Sequence, residues 1–287
     1  MIIDIHAHTS THQLWNLHTA EATITAIEKF MADSGIQTTI LMATYFPLKR
    51  TGLSNRELAR RIDGNSKFRM FGSLDLTKGL TPQLQELAEM AAAHEICGIK
   101  LYPGYQLFQP GEERVFPVYE LAREYGLPVA FHGGELHHCC PKSEREIGAF
   151  HCRNNHCLLD DLGELSRPKY IYVPAQRYPE INFVVAHLAN PYFDELRTVM
   201  INCPNVFTDI SGQFISGSED SPEYLSEVID EISKFLALPH GEDRLLFGTD
   251  FPIQSHAGSL QLVEGLNLTS EVKEKIYSQN ALSIIKL

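Results

Sequence analysis

Positive charge is what this chain has too little of. It carries 24 Lys and Arg against 36 Asp and Glu, a formal net charge of −12 over 287 residues. Broad contact with nucleic acid or with an anionic membrane face needs a positive surface, so neither is expected as a partner. Long apolar runs are missing too: none approaches the roughly 20 residues that span a bilayer. No basic stretch leads into a long apolar one near the N-terminus, so no export signal is read. Cysteine is sparse, at six residues, too few to staple a chain of this size. A cytoplasmic location is expected. Tryptophan is all but absent, with Trp15 alone. The remainder, 44% hydrophobic and 21% charged, is ordinary globular composition and excludes a disordered, collagen-like or coiled-coil chain.

Short runs rich in Val, Ile, Leu and Phe recur, separated by segments with helical spacing. That alternation is the pattern of a parallel sheet covered by helices. Strands are expected at Ile2–Ile5, Thr38–Met42, Phe68–Gly72, Cys97–Leu101, Pro128–Phe131, Asn182–Ala186, Asn205–Asp209 and Arg244–Phe247. Helices are expected between them and over Thr269 to Ile285. Eight strand-helix units use up the length, which predicts an α/β fold, a distorted (β/α)8 TIM barrel forming one domain over 1–287. An open doubly wound sheet is the competing architecture. No Pro/Ser-rich linker divides the chain. An insert of about residues 133–167 interrupts the rhythm as a long loop after the fifth strand.

The chemistry lies at the strand ends. The first strand runs Ile2-Ile3-Asp4-Ile5-His6-Ala7-His8. Strand side chains alternate faces, so Asp4, His6 and His8 are expected on one side. Two imidazoles at i and i+2 can share a divalent cation; a hydrogen-bonded pair in a polar interior is the plainer alternative. The pair has company. His132 follows the apolar run Val129-Ala130-Phe131, His187 follows Phe183-Val184-Val185-Ala186, and Asp250 ends Leu245-Leu246-Phe247-Gly248-Thr249. Lys100 sits inside a strand that otherwise reads as buried. In a parallel barrel all C-terminal strand ends meet on one face, where loops build a pocket. An apolar core has no use for so many ionisable groups, and burying them unpaired is costly.

The phrases Asp4-Ile-His-Ala-His8, Gly98-Ile-Lys-Leu-Tyr-Pro103, Ala186-His187-Leu188, Gly248-Thr-Asp-Phe-Pro252, Asn205-Val-Phe-Thr-Asp-Ile-Ser-Gly212 and the ending Asn280-Ala281 resemble the amidohydrolase superfamily. Within it they resemble the branch that includes aminocarboxymuconate-semialdehyde decarboxylase. The resemblance implies that His6, His8 and His132 bind one divalent metal, with Asp250 as a fourth ligand and proton acceptor. It also implies His187 as acid/base or electrostatic stabiliser, or as a metal ligand in its own right. Lys100 is then either a carbamylated bridge between two metals or, as preferred here, a free ammonium that pairs with the substrate. Nitrogen and carboxylate donors without a thiolate suit Zn²⁺, with Mn²⁺ or Fe²⁺ as alternatives. Zinc lowers the pKa of water from about 15.7 to about 7, so hydroxide supply at neutral pH is the metal's part.

The expected function is a metal-dependent hydrolase that cleaves an amide, lactone or ester bond of a small, carboxylate-bearing molecule. A carboxy-lyase of an unsaturated or aromatic acid uses the same ligands, and a non-catalytic metal-binding barrel is a further reading. A homo-oligomer is compatible with all three. Pocket-wall candidates come from the loops: Trp15; Tyr45 and Phe46 with Lys49 and Arg50; Tyr102 and Tyr105; and Asp209, Ser211 and Gln213. Arg50 and Lys100 are the expected substrate contacts, with Tyr102 and Trp15 beside them. The inserted loop concentrates His137, His138, Cys139, Cys140, His151, Cys152, His156 and Cys157. Thiolate and imidazole at that density can hold a second, structural metal, although the spacing matches no recognised finger. His18, His94, His240 and His256 read as surface or loop residues, while His12 lies close enough to the first-strand motif to stay a candidate.

Overall fold

Each of the eight apolar runs expected as strands forms one, and the strands pair in the order in which they occur. The structure, a computed structural model, describes residues 1–10, 21–48, 51–137, 162–214 and 221–286. Eight strands, β1 (Ile3–Ala7), β2 (Thr38–Met42), β3 (Phe68–Gly72), β4 (Gly98–Leu101), β5 (Val129–Phe131), β6 (Phe183–Val185), β7 (Val206–Asp209) and β8 (Leu245–Leu246), form one sheet in chain order. Every neighbouring pair is parallel. The sheet then rolls up. Ile5 N–H donates to the Phe247 carbonyl at 3.0 Å, and Asp250 N–H to the His6 carbonyl at 2.7 Å. The architecture is a single-domain (β/α)8 barrel, and the open doubly wound alternative falls away.

Helices return the chain to the opposite end after each strand, and their ends are set by local chemistry. Thr23 and Ser54 side chains accept from backbone N–H groups three residues on and start the helices Ile24–Ser34 and Asn55–Ile62. Gly35, at φ +69°, ends the first of these in the left-handed conformation that glycine tolerates best. Two elements escaped the sequence reading. A small antiparallel hairpin pairs Thr44–Phe46 with Thr51–Leu53 after β2. A helix, His256–Gly265, follows β8. His256 is therefore not a surface residue: it is buried, and it packs against Phe30 and Phe251. Among the described residues no helix is long and apolar enough to cross a membrane.

One sequence expectation needs correction. Asp4 aligns with Thr39 and Ala7 with Leu41, so β1 holds one more residue than β2 over the same stretch. That extra residue is a β-bulge, which breaks the two-residue alternation. Asp4 consequently faces the outer layer, with its Oδ2 3.9 Å from His256 Nε2. Ile5 packs with interior residues of other strands, and His6 and His8 turn into the barrel mouth. Asp4 has a different task. Its carboxylate accepts from the N–H groups of His6 (3.1 Å) and Thr249 (3.0 Å) and from the Thr249 hydroxyl (2.7 Å). It thereby pins the two strands that close the ring.

Candidate metal and active site

His6 lies at the centre of the cluster. Its Nε2 is 3.5 Å from Asp250 Oδ1 and 3.4 Å from Lys100 Nζ. Its Nδ1 is 3.2 Å from both Asp209 Oδ2 and Ser211 Oγ. His8 brings its Nε2 to 3.1 Å from the same Asp250 oxygen, while its Nδ1 is buried without a hydrogen-bond partner among the described residues. The His187 ring stacks on His6 with centroids 4.9 Å apart. His132 lies beside His187 at 5.1 Å and against the edge of Tyr105 at 4.8 Å.

Backbone conformation aims these groups. Asp250 (φ +56°) and His187 (φ +65°) are both left-handed, as are Leu188 and Ala189. Such conformations are unfavourable for residues other than glycine and persist where the surroundings hold them. The Asp250 N–H is held by the His6 carbonyl, and the His187 N–H by Asp209 Oδ1 at 3.0 Å. Space is kept open by Gly212, at φ +64°. A Cβ there would lie 2.7 Å from His187 Nδ1 and 3.2 Å from Asp250 Oδ2.

Among the described residues, two groups of donor atoms lie within 4.8 Å of one another: His6, His8 and Asp250, and His6, His187 and Asp209. They differ in fitness for a cation. Around a tetrahedral ion with bonds of about 2.0–2.2 Å, donors sit roughly 3.3–3.6 Å apart. The separations of 3.1 and 3.5 Å from Asp250 to the two imidazoles match that spacing. In the second group the Ser211 hydroxyl already lies against all three members, at 2.9 Å from His187 Nδ1, 3.2 Å from His6 Nδ1 and hydrogen-bonded to Asp209. An ion there would have to displace it. The first group is the better cradle for a divalent metal, and the buried, unpartnered Nδ1 of His8 leaves that ring free to settle on its ligand.

Burial and charge decide which groups ionise. Burial pushes His6 down to about 3, with the Lys100 charge acting in the same direction. His132 and His187 are likewise lowered by burial. All three rings are thus neutral at pH 7, the form that can ligate or accept a proton. Burial alone would raise Asp250, but the charges that His187 and His6 take on as the pH falls, with the hydrogen bond from His8, outweigh it and hold the carboxyl below the ordinary carboxylate range. Asp209 is held low in the same way by His6, His187 and Lys100. Lys100 has no exposed surface, and burial lowers it from 10.5 to about 8 despite Asp209 and Asp250 nearby.

The structure brings His6, His8, Lys100, His187 and Asp250 together at one end of the barrel. His132 is adjacent but outside the donor groups, with Nε2 3.1 Å from the Glu135 carbonyl. Tyr102 spends its hydroxyl on the Ala43 carbonyl at 2.8 Å, so it offers a ring face, 5.5 Å from Lys100 Nζ. Phe46 packs on Tyr102 and Tyr105, which places the hairpin over the same side of the mouth. His12, Trp15, His18 and Arg50 lie outside the described residues. So do His138, Cys139, Cys140, His151, Cys152, His156 and Cys157, and His137 belongs to no metal-donor group among the described residues. Asp209 and Ser211, weighed earlier only as pocket wall or loop, are buried parts of the cluster itself. Their position at the end of β7 was the available signal.

The amidohydrolase family model matches residues 3–287, and the chain belongs to that family, whose enzymes use a divalent metal. No curated protein matches the sequence. Solved structures share the fold. One is a protein from Acinetobacter baumannii assigned as a 2-pyrone-4,6-dicarboxylic acid hydrolase and holding citric acid. It is 15% identical with a TM-score of 0.65, over 99% of this chain and 98% of that one. Another is 5-carboxyvanillate decarboxylase from Sphingomonas paucimobilis, 14% identical with a TM-score of 0.62 over 99% and 98%. A third is a dihydroxybenzoic acid decarboxylase from Polaromonas sp. JS666 with manganese and the inhibitor 2-nitroresorcinol. It is 15% identical with a TM-score of 0.63 over 99% and 96%. Likeness at these identities is likeness of fold, and that fold carries both reaction types.

Proposed function

We propose that this barrel is a metal-dependent hydrolase that cleaves an amide, lactone or ester bond in a small, carboxylate-bearing substrate. The observation that carries the reading is the Asp250 carboxylate, kept ionised with one oxygen between the Nε2 atoms of His6 and His8. These three would hold the ion, with His132 as the further ligand that family resemblance implies. Zn²⁺ suits the donors, and manganese, present in the Polaromonas decarboxylase, is the second candidate. When bound, the ion supplies Lewis acidity and makes hydroxide accessible near neutral pH.

The protein's own groups do the rest. Asp250 accepts the proton of the attacking water at the oxygen not facing the imidazoles. That oxygen borders the space left by Gly212. His187 donates its Nδ1–H toward Ser211, so its bare Nε2 is the atom left to take up a proton and pass it on to the leaving group. Lys100 sets an ammonium beside His6 and the Tyr102 ring, where a substrate carboxylate would find its strongest partner. Phe46, Tyr102 and Tyr105 shield that side of the mouth from water.

The test is metal analysis of protein purified without chelator, then a screen of lactones, amides, esters and unsaturated or aromatic carboxylates with carbon dioxide measured alongside. About one divalent ion per chain and hydrolysis without carbon dioxide are expected. Carbon dioxide released without hydrolysis would replace the reading with the carboxy-lyase one.

A further inference from the structure

We infer that Asp209 is the positioning residue that selects the tautomer of His6, and through Ser211 that of His187, so that both imidazoles turn a bare Nε2 toward the site. The inference deepens the metal-site reading above and rests on it, but it does not depend on which bond is cleaved.

The two oxygens of Asp209 have separate partners. Oδ1 accepts from His187 N–H at 3.0 Å, from Ser211 N–H at 3.1 Å and from the Ser211 hydroxyl. Oδ2 faces His6 Nδ1 at 3.2 Å. An ionised carboxylate can only accept, so the nitrogen facing it must carry the hydrogen. The opposite side of the ring makes the same demand. Lys100 Nζ lies 3.4 Å from His6 Nε2, and an ammonium can only donate, so that nitrogen must be bare. Strands β4 and β7 thus agree on the Nδ1–H form, the one able to ligate through Nε2. The bare nitrogen then confronts Asp250 Oδ1 at 3.5 Å, acceptor against acceptor, which a cation between them would resolve.

Ser211 extends the rule to the second ring. Its one hydroxyl hydrogen goes to Asp209, so it accepts from His187 Nδ1–H at 2.9 Å. The Ser211 carbonyl, 3.2 Å from the same nitrogen, can only accept and requires the same tautomer.

Asp209→Asn gives the sharpest test. Three donors claim the Oδ1 position, so the amide oxygen stays there and the NH₂ turns to His6 Nδ1. An NH₂ donates, which drives the His6 hydrogen to Nε2 and removes the ligand atom. An isosteric swap behind a histidine can in this way keep the geometry and lose the function. With Zn²⁺ alone as probe, in competition with a chromophoric chelator, affinity should fall about 10–100-fold. In metal-free protein labelled with ¹⁵N-histidine, His6 should read Nδ1–H in the wild type and Nε2–H in Asp209→Asn. Asp209→Ala makes no demand on His6, so it should bind zinc better than Asp209→Asn even if it melts lower; a purely structural role predicts the reverse order. Ser211→Ala should leave the His6 tautomer unchanged.

A wild-type His6 that reads Nε2–H overturns the inference however the variants fold, and so does wild-type zinc affinity in Asp209→Asn. A wild type that shows Nδ1–H on His6 but binds no divalent ion supports the tautomer assignment and overturns the metal-site reading instead.

Discussion

The interior of the barrel is lined twice by the same strands, and the two linings differ in kind. In the lower lining Ile3 and Ile5 of β1, Ile40 and Met42 of β2, Phe71 of β3, Val184 of β6 and Leu246 of β8 form one buried apolar cluster, joined by Ala281, Ile284 and Ile285. Toward the carboxyl-terminal end stand His6, Lys100 and Asp209, with His132, His187 and Asp250 just beyond their strands. In the lower lining a residue needs only to be apolar and of the right volume. In the upper one each side chain is held by another polar group, and several of those groups oppose one another. The lower half contributes stability; the upper half gives some of it up to hold buried charge and left-handed backbone where chemistry is done.

Substitutions can break that contrast. The largest effect is expected from His6→Ala, which should abolish divalent-metal binding and reduce turnover to background while the circular dichroism of the barrel persists. Metal analysis and activity on the substrate found by the screen read both. His187→Ala should keep the ion and lose about 10²–10⁴-fold in turnover, the share of a positioned acid/base group. Normal turnover in this variant would remove His187 from the proposed chemistry.

In the lower lining, Ile40→Ala should cost about 2–5 kcal/mol in unfolding free energy with metal content unchanged. A loss of metal there would show that the two halves are not separable.

Lys100→Met sharpens the comparison from the other side, because it makes the upper lining resemble the lower. The ammonium falls from 10.5 to about 8 in the fold, so its charge is a net cost at pH 7. A shift of that size corresponds to about 3 kcal/mol. Metal-free Lys100→Met should therefore be more stable than metal-free wild type at pH 7 by up to that amount, and the metal-loaded variant should be inactive. Between about pH 8 and 10.5 the unfolded wild type binds more protons than the native form, so wild-type stability rises and the advantage of the variant should shrink. Denaturant melts at pH 7, 8.5 and 10 check the sign, and an advantage that grew with pH would refute it.

The barrel was legible because its strands are apolar runs with sharp boundaries. Thr38–Met42 and Phe68–Gly72 occupy the stretches expected, and polar residues at run ends, such as His132, His187 and Asp250, marked the mouth. The helix His256–Gly265 was not legible. The residues it buries include His256, Gly258 and Ser259, so it lacks the apolar stripe that reveals a helix in sequence. The bulge in β1 was hidden for a related reason, since the run Ile2 to Ile5 alternates as an unbroken strand would. Asp209 shows the limit for the site: it meets His6 across 203 positions of chain, and only ring closure makes them neighbours.

By itself the sequence determined the strand-helix order, the family and the identity of the ionisable groups at the strand ends, because those follow from local periodicity and from residue chemistry. Tertiary structure alone decided that Asp4 turns outward as a clamp, that Asp250 serves both strand-one histidines, and that Asp209 and Ser211 stand behind His6 and His187. Each of those depends on which nitrogen meets which oxygen once β7 and β8 close against β1, and no pattern along a single chain encodes a contact between atoms.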